Sequence, residues 1–66
     1  MATGKVKWFD TEKGIGVIQM ETGKEIFVHH NAIQGQKFIS LEEGDVVEFE
    51  IRQGSKGEFA ESVFKL

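Results

Sequence analysis

Two short runs alternate in the way a β-strand requires. In residues 13–18, Lys-Gly-Ile-Gly-Val-Ile, and in residues 26–30, Ile-Phe-Val-His-His, apolar positions recur with a period of two. One phase places Ile18, Ile26 and Val28 on a common inner face. The other phase sends Ile15, Val17, Phe27 and His29 to the opposite face. A third run is cleaner still: Val47, Phe49 and Ile51 point one way, and Glu48, Glu50 and Arg52 the other.

Five strands follow from this pattern, over residues 5–10, 15–20, 25–29, 46–53 and 58–65, the last with its register left open. Thr11 to Gly14, Glu21 to Lys24 and Gly54 to Gly57 supply the turns, with no proline anywhere. Between the third and fourth strands, Asn31-Ala32-Ile33 predicts one helical turn. Leu41-Glu42-Glu43-Gly44-Asp45 predicts a tight reversal around a buried leucine. Five short strands without a long helix predict an all-β chain. At this length the leading architecture is a five-stranded antiparallel β-barrel of the oligonucleotide/oligosaccharide-binding (OB) type.

The outer face of the second and third strands poses the functional question. Water-facing positions usually carry polar residues, yet here they hold Ile15, Val17, Phe27 and His29, with Lys5, Lys7 and Lys13 close by in sequence. Unpaired bases stacking on such a platform, with lysines meeting their phosphates, account for that combination. Trp8 and Phe9 have opposite parity, so strict alternation exposes only one of them and would favour Trp8 inside. A bulge in the first strand would change that. Phe38 stands in a polar loop, where an aromatic serves either as a plug or as a lid over a base.

Size and composition narrow the rest. Sixty-six residues predict one domain over 1–66. The absence of cysteine removes thiolate zinc sites, disulfides and a cysteine nucleophile. No apolar stretch approaches the roughly 20 residues needed to span a bilayer, and the first five residues do not read as a secretory signal, so a cytoplasmic protein is expected. The net charge of −3 argues against nucleic acid if taken whole. Its distribution softens the objection: residues 1–37 carry five lysines against four acids, residues 38–66 three cations against seven. A weakly basic face on the first half remains available, with stacking supplying much of the affinity.

Other chemistry finds little support. His29 and His30 would point to opposite faces of a continuous strand, and with no third ligand nearby no metal site is expected. Glu42, Glu43, Asp45, Glu48 and Glu50 read as solvated surface, without a nucleophile beside them. Gly14-x-Gly16 lacks the helix and the Gly-Lys-Ser/Thr ending of a phosphate loop. No enzyme activity, cofactor or small-molecule substrate is expected.

Taken in order, Gly4-Lys5-Val6-Lys7-Trp8-Phe9, Glu12-Lys13-Gly14-x-Gly16, Phe27-Val28-His29, Ala32-Ile33, Gly35, Phe38, Leu41-Glu42-Glu43-Gly44, Val47, Phe49 and the Gly-x-Lys-Gly loop at 54–57 closely resemble bacterial cold-shock proteins. The resemblance covers essentially the whole chain. It implies an OB-type barrel holding single-stranded DNA or RNA on its first three strands, with a preference for pyrimidines, as a monomer away from membranes. It places Trp8, Phe27, His29 and Phe38 at base-stacking positions, Phe9 on the same surface, and Lys7, Lys13 and Lys56 near the backbone or base edges. The implied biology is RNA chaperoning in the cold, with effects on transcription and translation.

This chain departs from the family in three places. Ile15 and Val17, and then His30, stand where aromatics are usual, and Glu58-Phe59 replaces a Pro-Gln or similar pair. The binding set Lys7, Trp8, Phe9, Lys13, Ile15, Val17, Phe27, His29, His30, Phe38 and Lys56 therefore keeps its outline and loses stacking surface. At ~1–3 kcal/mol per stacked base, the loss is roughly 2–4 kcal/mol, about 30- to 1000-fold in affinity. Glu58 should weaken phosphate contact near Lys56 further. The alternative from another class is a diverged or engineered barrel that has lost most nucleic-acid binding and serves as a protein-interaction module or stability scaffold.

Overall fold

Five strands carry the alternation into space: β1 (Ala2–Asp10), β2 (Ile15–Gln19), β3 (Glu25–His29), β4 (Val46–Gly54) and β5 (Gly57–Lys65). A computed structural model describes residues 1–33 and 41–66. The strands close into a barrel in the order β1-β2-β3-β5-β4. Four junctions are antiparallel, and the fifth, β3 with β5, is parallel, with Phe27 opposite Phe59. The parallel junction is a matter of counting. A closed ring with an odd number of strands cannot alternate direction at every neighbour, so one seam must run parallel.

The inward phase fills the barrel. Val6, Ile18, Ile26, Val28, Leu41, Val47, Phe49, Ala60 and Val63 form its core. Ile18, Ile26, Val28, Val47 and Phe49 are among the positions the alternation assigns to the interior, and all are buried. Ile51 shares their phase and packs partly buried against them. On the outward phase of β4, Arg52 donates to Glu50 at 3.0 Å and to Glu61 at 3.2 Å.

Two bulges interrupt the alternation. The first lies between Val6 and Trp8, where β1 slips against β2. The second lies between Glu48 and Glu50, opposite the stretch of β5 in which Ser62 adopts a left-handed φ of 54°. An extra residue flips the side-chain phase beyond it, which is how Phe59 and Phe64 both come to stand outside while Ala60 and Val63 stand inside. This is the register that the sequence left open.

Three differences concern element ends. β1 begins at Ala2, three residues earlier than the alternation suggests, because β4 pairs with it from Ala2 opposite Phe49 to Lys5 opposite Val46. The helical turn is a 3-10 turn at His30–Ala32, one residue earlier than expected. The reversal near Leu41 forms as expected: Asp45 accepts from the Glu42 N–H through Oδ2 at 2.9 Å, and its own N–H donates to the Glu42 carbonyl at 3.0 Å. Val6 is hydrogen-bonded to both sides of this reversal at 2.8 Å, through Asp45 and Gly44, so the turn is tied to β1.

Candidate nucleic-acid interface

The bulge in β1 decides the site. Val6 faces Ile18 across the β1–β2 ladder, and Trp8, not Lys7, faces Val17. Lys7 is therefore the inserted residue, and Lys7 and Trp8 both stand outside. Trp8 is 43% exposed. Phe9 then returns to the inner phase, opposite Gly16 and in line with Val28.

Phe9 is accordingly placed otherwise than expected. It does not share Trp8's face; it is half-buried against the core. Its ring occupies the space a side chain at residue 16 would need, since a Cβ on Gly16 would lie 2.5 Å from Phe9 Cδ2. Glycine at 16 is thus a packing requirement of the barrel end.

Outside, registers align one row across the barrel: Trp8 on β1, Val17 on β2, Phe27 on β3, Phe59 on β5 and Arg52 on β4. Phe27 is 60% exposed and Phe59 37%. Val17 belongs to this row but is only 6% exposed, because a short branched side chain between Trp8 and Phe27 is overtopped by both. It serves as the floor between two rings, which corrects the expectation of an open contact. A second row joins Asp10, Ile15 and His29, with Ile15 half-buried and His29 exposed.

His29 is held by the chain that follows it. Its Nδ1 accepts from the Asn31 N–H at 3.3 Å, capping the 3-10 turn and leaving Nε2 as the donor for an outside partner. The strand ends at His29, so the two imidazoles do not diverge as a continuous strand would require. Their ring centroids are 4.4 Å apart with planes tilted by 33°. His30 is half-buried, its backbone N–H donating to the Gly14 carbonyl at 2.8 Å and its ring against Gly14. Gly14 has φ +70° and no room for a Cβ beneath that ring, so both conformation and packing demand glycine. Among the described residues no three His, Cys, Asp or Glu side chains converge to hold a metal. No helix among them is long and apolar enough to cross a membrane.

The lysines divide into two kinds. Lys7 is ion-paired with Glu25, and Lys24 with Glu58 at 2.6 Å. Among the described residues Lys13 and Lys56 make no ion pair, and both are exposed. Lys13 rides on a turn fixed by Asp10, whose Oδ1 accepts from the N–H groups of Glu12 and Lys13 at 3.0 and 3.2 Å. Glu58, the acid expected to weaken phosphate contact near Lys56, is ion-paired with Lys24 and not with Lys56. Phe38 lies outside the described residues.

The arrangement brings Trp8, Phe27, His29, Ile15, Val17, Lys7 and Lys13 to one outer surface and leaves Phe9 behind it. Phe59 joins the outward row from outside the expected set. Its signal was present in Phe59-Ala60, where a large ring and a small residue alternate, but without the bulge at Ser62 the phase could not be assigned.

A closed five-stranded barrel of this topology, bearing an outward aromatic row beside lysines, is an OB-type barrel. The chain belongs to the 'Cold-shock' DNA-binding domain family, whose model matches residues 2–66. It is 58% identical to the cold shock protein CspB of Geobacillus stearothermophilus and 56% identical to CspB of Bacillus caldolyticus, each over the full length of both chains. It is 53% identical to the cold shock protein CspD of Bacillus subtilis, again over both full lengths. The family is one of domains that bind single-stranded nucleic acid, and is not a family of enzymes.

Proposed function

We propose that this protein binds single-stranded DNA or RNA as a monomeric domain, acting as an RNA chaperone without catalysis, and that it favours pyrimidine-rich stretches. The observation that carries this reading is the outward row Trp8–Val17–Phe27, two exposed rings with a sealed aliphatic floor between them, beside His29 and Lys13. Exposed rings at strand centres add little to a sheet's own stability, whereas each stacked base gains ~1–3 kcal/mol from one. Lys13 and Lys56 are available to phosphates at once, and Lys7 after exchange of Glu25 for a phosphate.

Binding is weaker than in relatives with aromatics at positions 15 and 17, because aliphatic side chains offer bases contact without a π-face. Restoring rings with the double variant Ile15→Phe/Val17→Phe should tighten binding about 10- to 100-fold.

The test is a titration with an unstructured dT heptanucleotide, read by Trp8 fluorescence, at several salt concentrations. Quenching is expected, with log affinity falling linearly in log salt. Amide shifts should cluster at residues 7–9, 13–17 and 27–30. No quenching at low salt and high protein concentration would refute nucleic-acid binding. Salt-independent affinity for an apolar protein partner would favour the interaction-module alternative.

A further inference from the structure

We propose that Phe59 forms a base-stacking subsite of its own, so that a bound strand leaves β1–β3 and continues onto β5 and the β4–β5 hairpin. The inference rests on the single-strand-binding reading above and adds a residue and a direction to it.

Phe59 shares the outward row with Trp8 and Phe27, and it is the direct cross-strand neighbour of Phe27 at the parallel seam. Counted along the outer face at ~4.8 Å per strand, the path from Trp8 over β2 and β3 to Phe59 covers three strand spacings, about 14 Å of surface for successive unpaired nucleotides. The two phenylalanines border a groove of about 740 Å³ between the β3 end and the β4–β5 hairpin, which His29, Asn31 and Lys56 also line. That volume falls within the range of small-ligand sites and exceeds what a single base needs. The groove is open and largely apolar, with a donor-bearing imidazole, an amide and an ammonium at its border.

The ring is seated for this role. A Cβ on Gly54 would lie 3.0 Å from Phe59 Cε1, so the ring rests against the hairpin backbone instead of swinging in solvent. Ala60 and Val63 already fill the inward positions of β5, which leaves Phe59 no place in the core. The carboxylates nearby do not repel a phosphate at full strength: Glu58 is met by Lys24 at 2.6 Å and Glu61 by Arg52 at 3.2 Å. Lys56 makes no ion pair among the described residues and lines the same groove. Stacking surface absent from β2, where Ile15 and Val17 stand, is thus partly replaced on β5.

A cross-strand aromatic pair that merely stiffens the seam is the competing role, and binding data separate the two. The probe is the dT heptanucleotide. The variant is Phe59→Leu, which keeps an apolar side chain against Gly54; Phe64→Leu, on the same strand but outside the row, is the control. Phe59→Leu should weaken binding roughly 3- to 30-fold while Phe64→Leu stays within about twofold. In the unaltered protein, ring protons of Phe59 should show NOEs to thymine methyl or ribose protons, a readout that does not depend on any variant folding. If the unaltered protein quenches Trp8 on binding but shows no such NOE, and Phe59→Leu binds within about twofold, the subsite is overturned and the general function stands. If the unaltered protein does not bind at all, both fall together.

Discussion

β3 and β4 obey the same rule on the inside of the barrel and opposite rules on the outside. Inward, β3 buries Ile26 and Val28, and β4 buries Val47 and Phe49. Outward, β4 presents Glu48, Glu50 and Arg52, and its guanidinium is shared between Glu50 and Glu61. Glu50 and Glu61 are cross-strand partners, so two like charges face each other with Arg52 between them. Outward on β3 stand Glu25, Phe27 and His29. On β4, Glu50 and Arg52 are met by neighbouring side chains. β3 leaves a ring and an imidazole exposed, and this is the face on which the proposed binding rests.

Two phenylalanines, one on each strand, give the largest contrast. Phe49 is fully buried, and Phe49→Ala should cost about 3–5 kcal/mol. A chain of this length has roughly 3–10 kcal/mol of total stability, so urea unfolding should show most of the variant unfolded or close to it at 25 °C. Phe27→Ala should behave in the opposite way. Its urea midpoint should correspond to a change of less than about 1 kcal/mol, while its affinity for oligo-dT falls about 5- to 150-fold. A Phe27→Ala protein that unfolds but, when folded, binds normally would erase the distinction between the two faces.

Ser62 sits at the bulge of the β4–β5 ladder with φ 54°, a conformation costing an L-residue of this kind about 1–2 kcal/mol. Glycine relieves that strain and gives back part of the gain in unfolded-state entropy. Ser62→Gly should therefore raise stability by about 0.5–1 kcal/mol, measured by thermal or urea unfolding, with oligo-dT affinity unchanged. A smaller effect is expected at Arg52. Arg52→Gln leaves Glu50 facing Glu61 and should cost ~0.3–1 kcal/mol at low salt. The deficit should shrink toward zero in 1 M NaCl, where exposed charges are screened. A loss that persists undiminished at high salt would mean that the aliphatic stem of Arg52, and not its charge, supports the hairpin.

Much of this was legible from the order of residues. Val47-Glu48-Phe49-Glu50-Ile51-Arg52 reads as a half-buried strand by period alone, and Ile26-Phe27-Val28 yields both its buried and its exposed members. The site was harder where the phase breaks. Trp8 and Phe9 differ by one residue, and only a slip of the β1–β2 ladder turns Trp8 out and Phe9 in. Val17 has the parity of an exposed residue and is nevertheless sealed, because exposure depends on the height of the neighbours that pairing brings beside it. The place of Phe59 in the outward row was hidden for a related reason: its neighbour Phe27 is 32 positions away and joins it only at the seam that closes the ring.

Local alternation, turn residues and chain length determined by themselves that this protein is a small barrel with one misplaced apolar face, since those properties depend on nearest neighbours along the chain. Which rings share that face, which lysines are already engaged by Glu25 and Glu58, and where the groove opens were decided only by the closed sheet. The physical reason is that bulges shift phase, and an odd ring of strands brings together residues that nothing in their sequence separation connects.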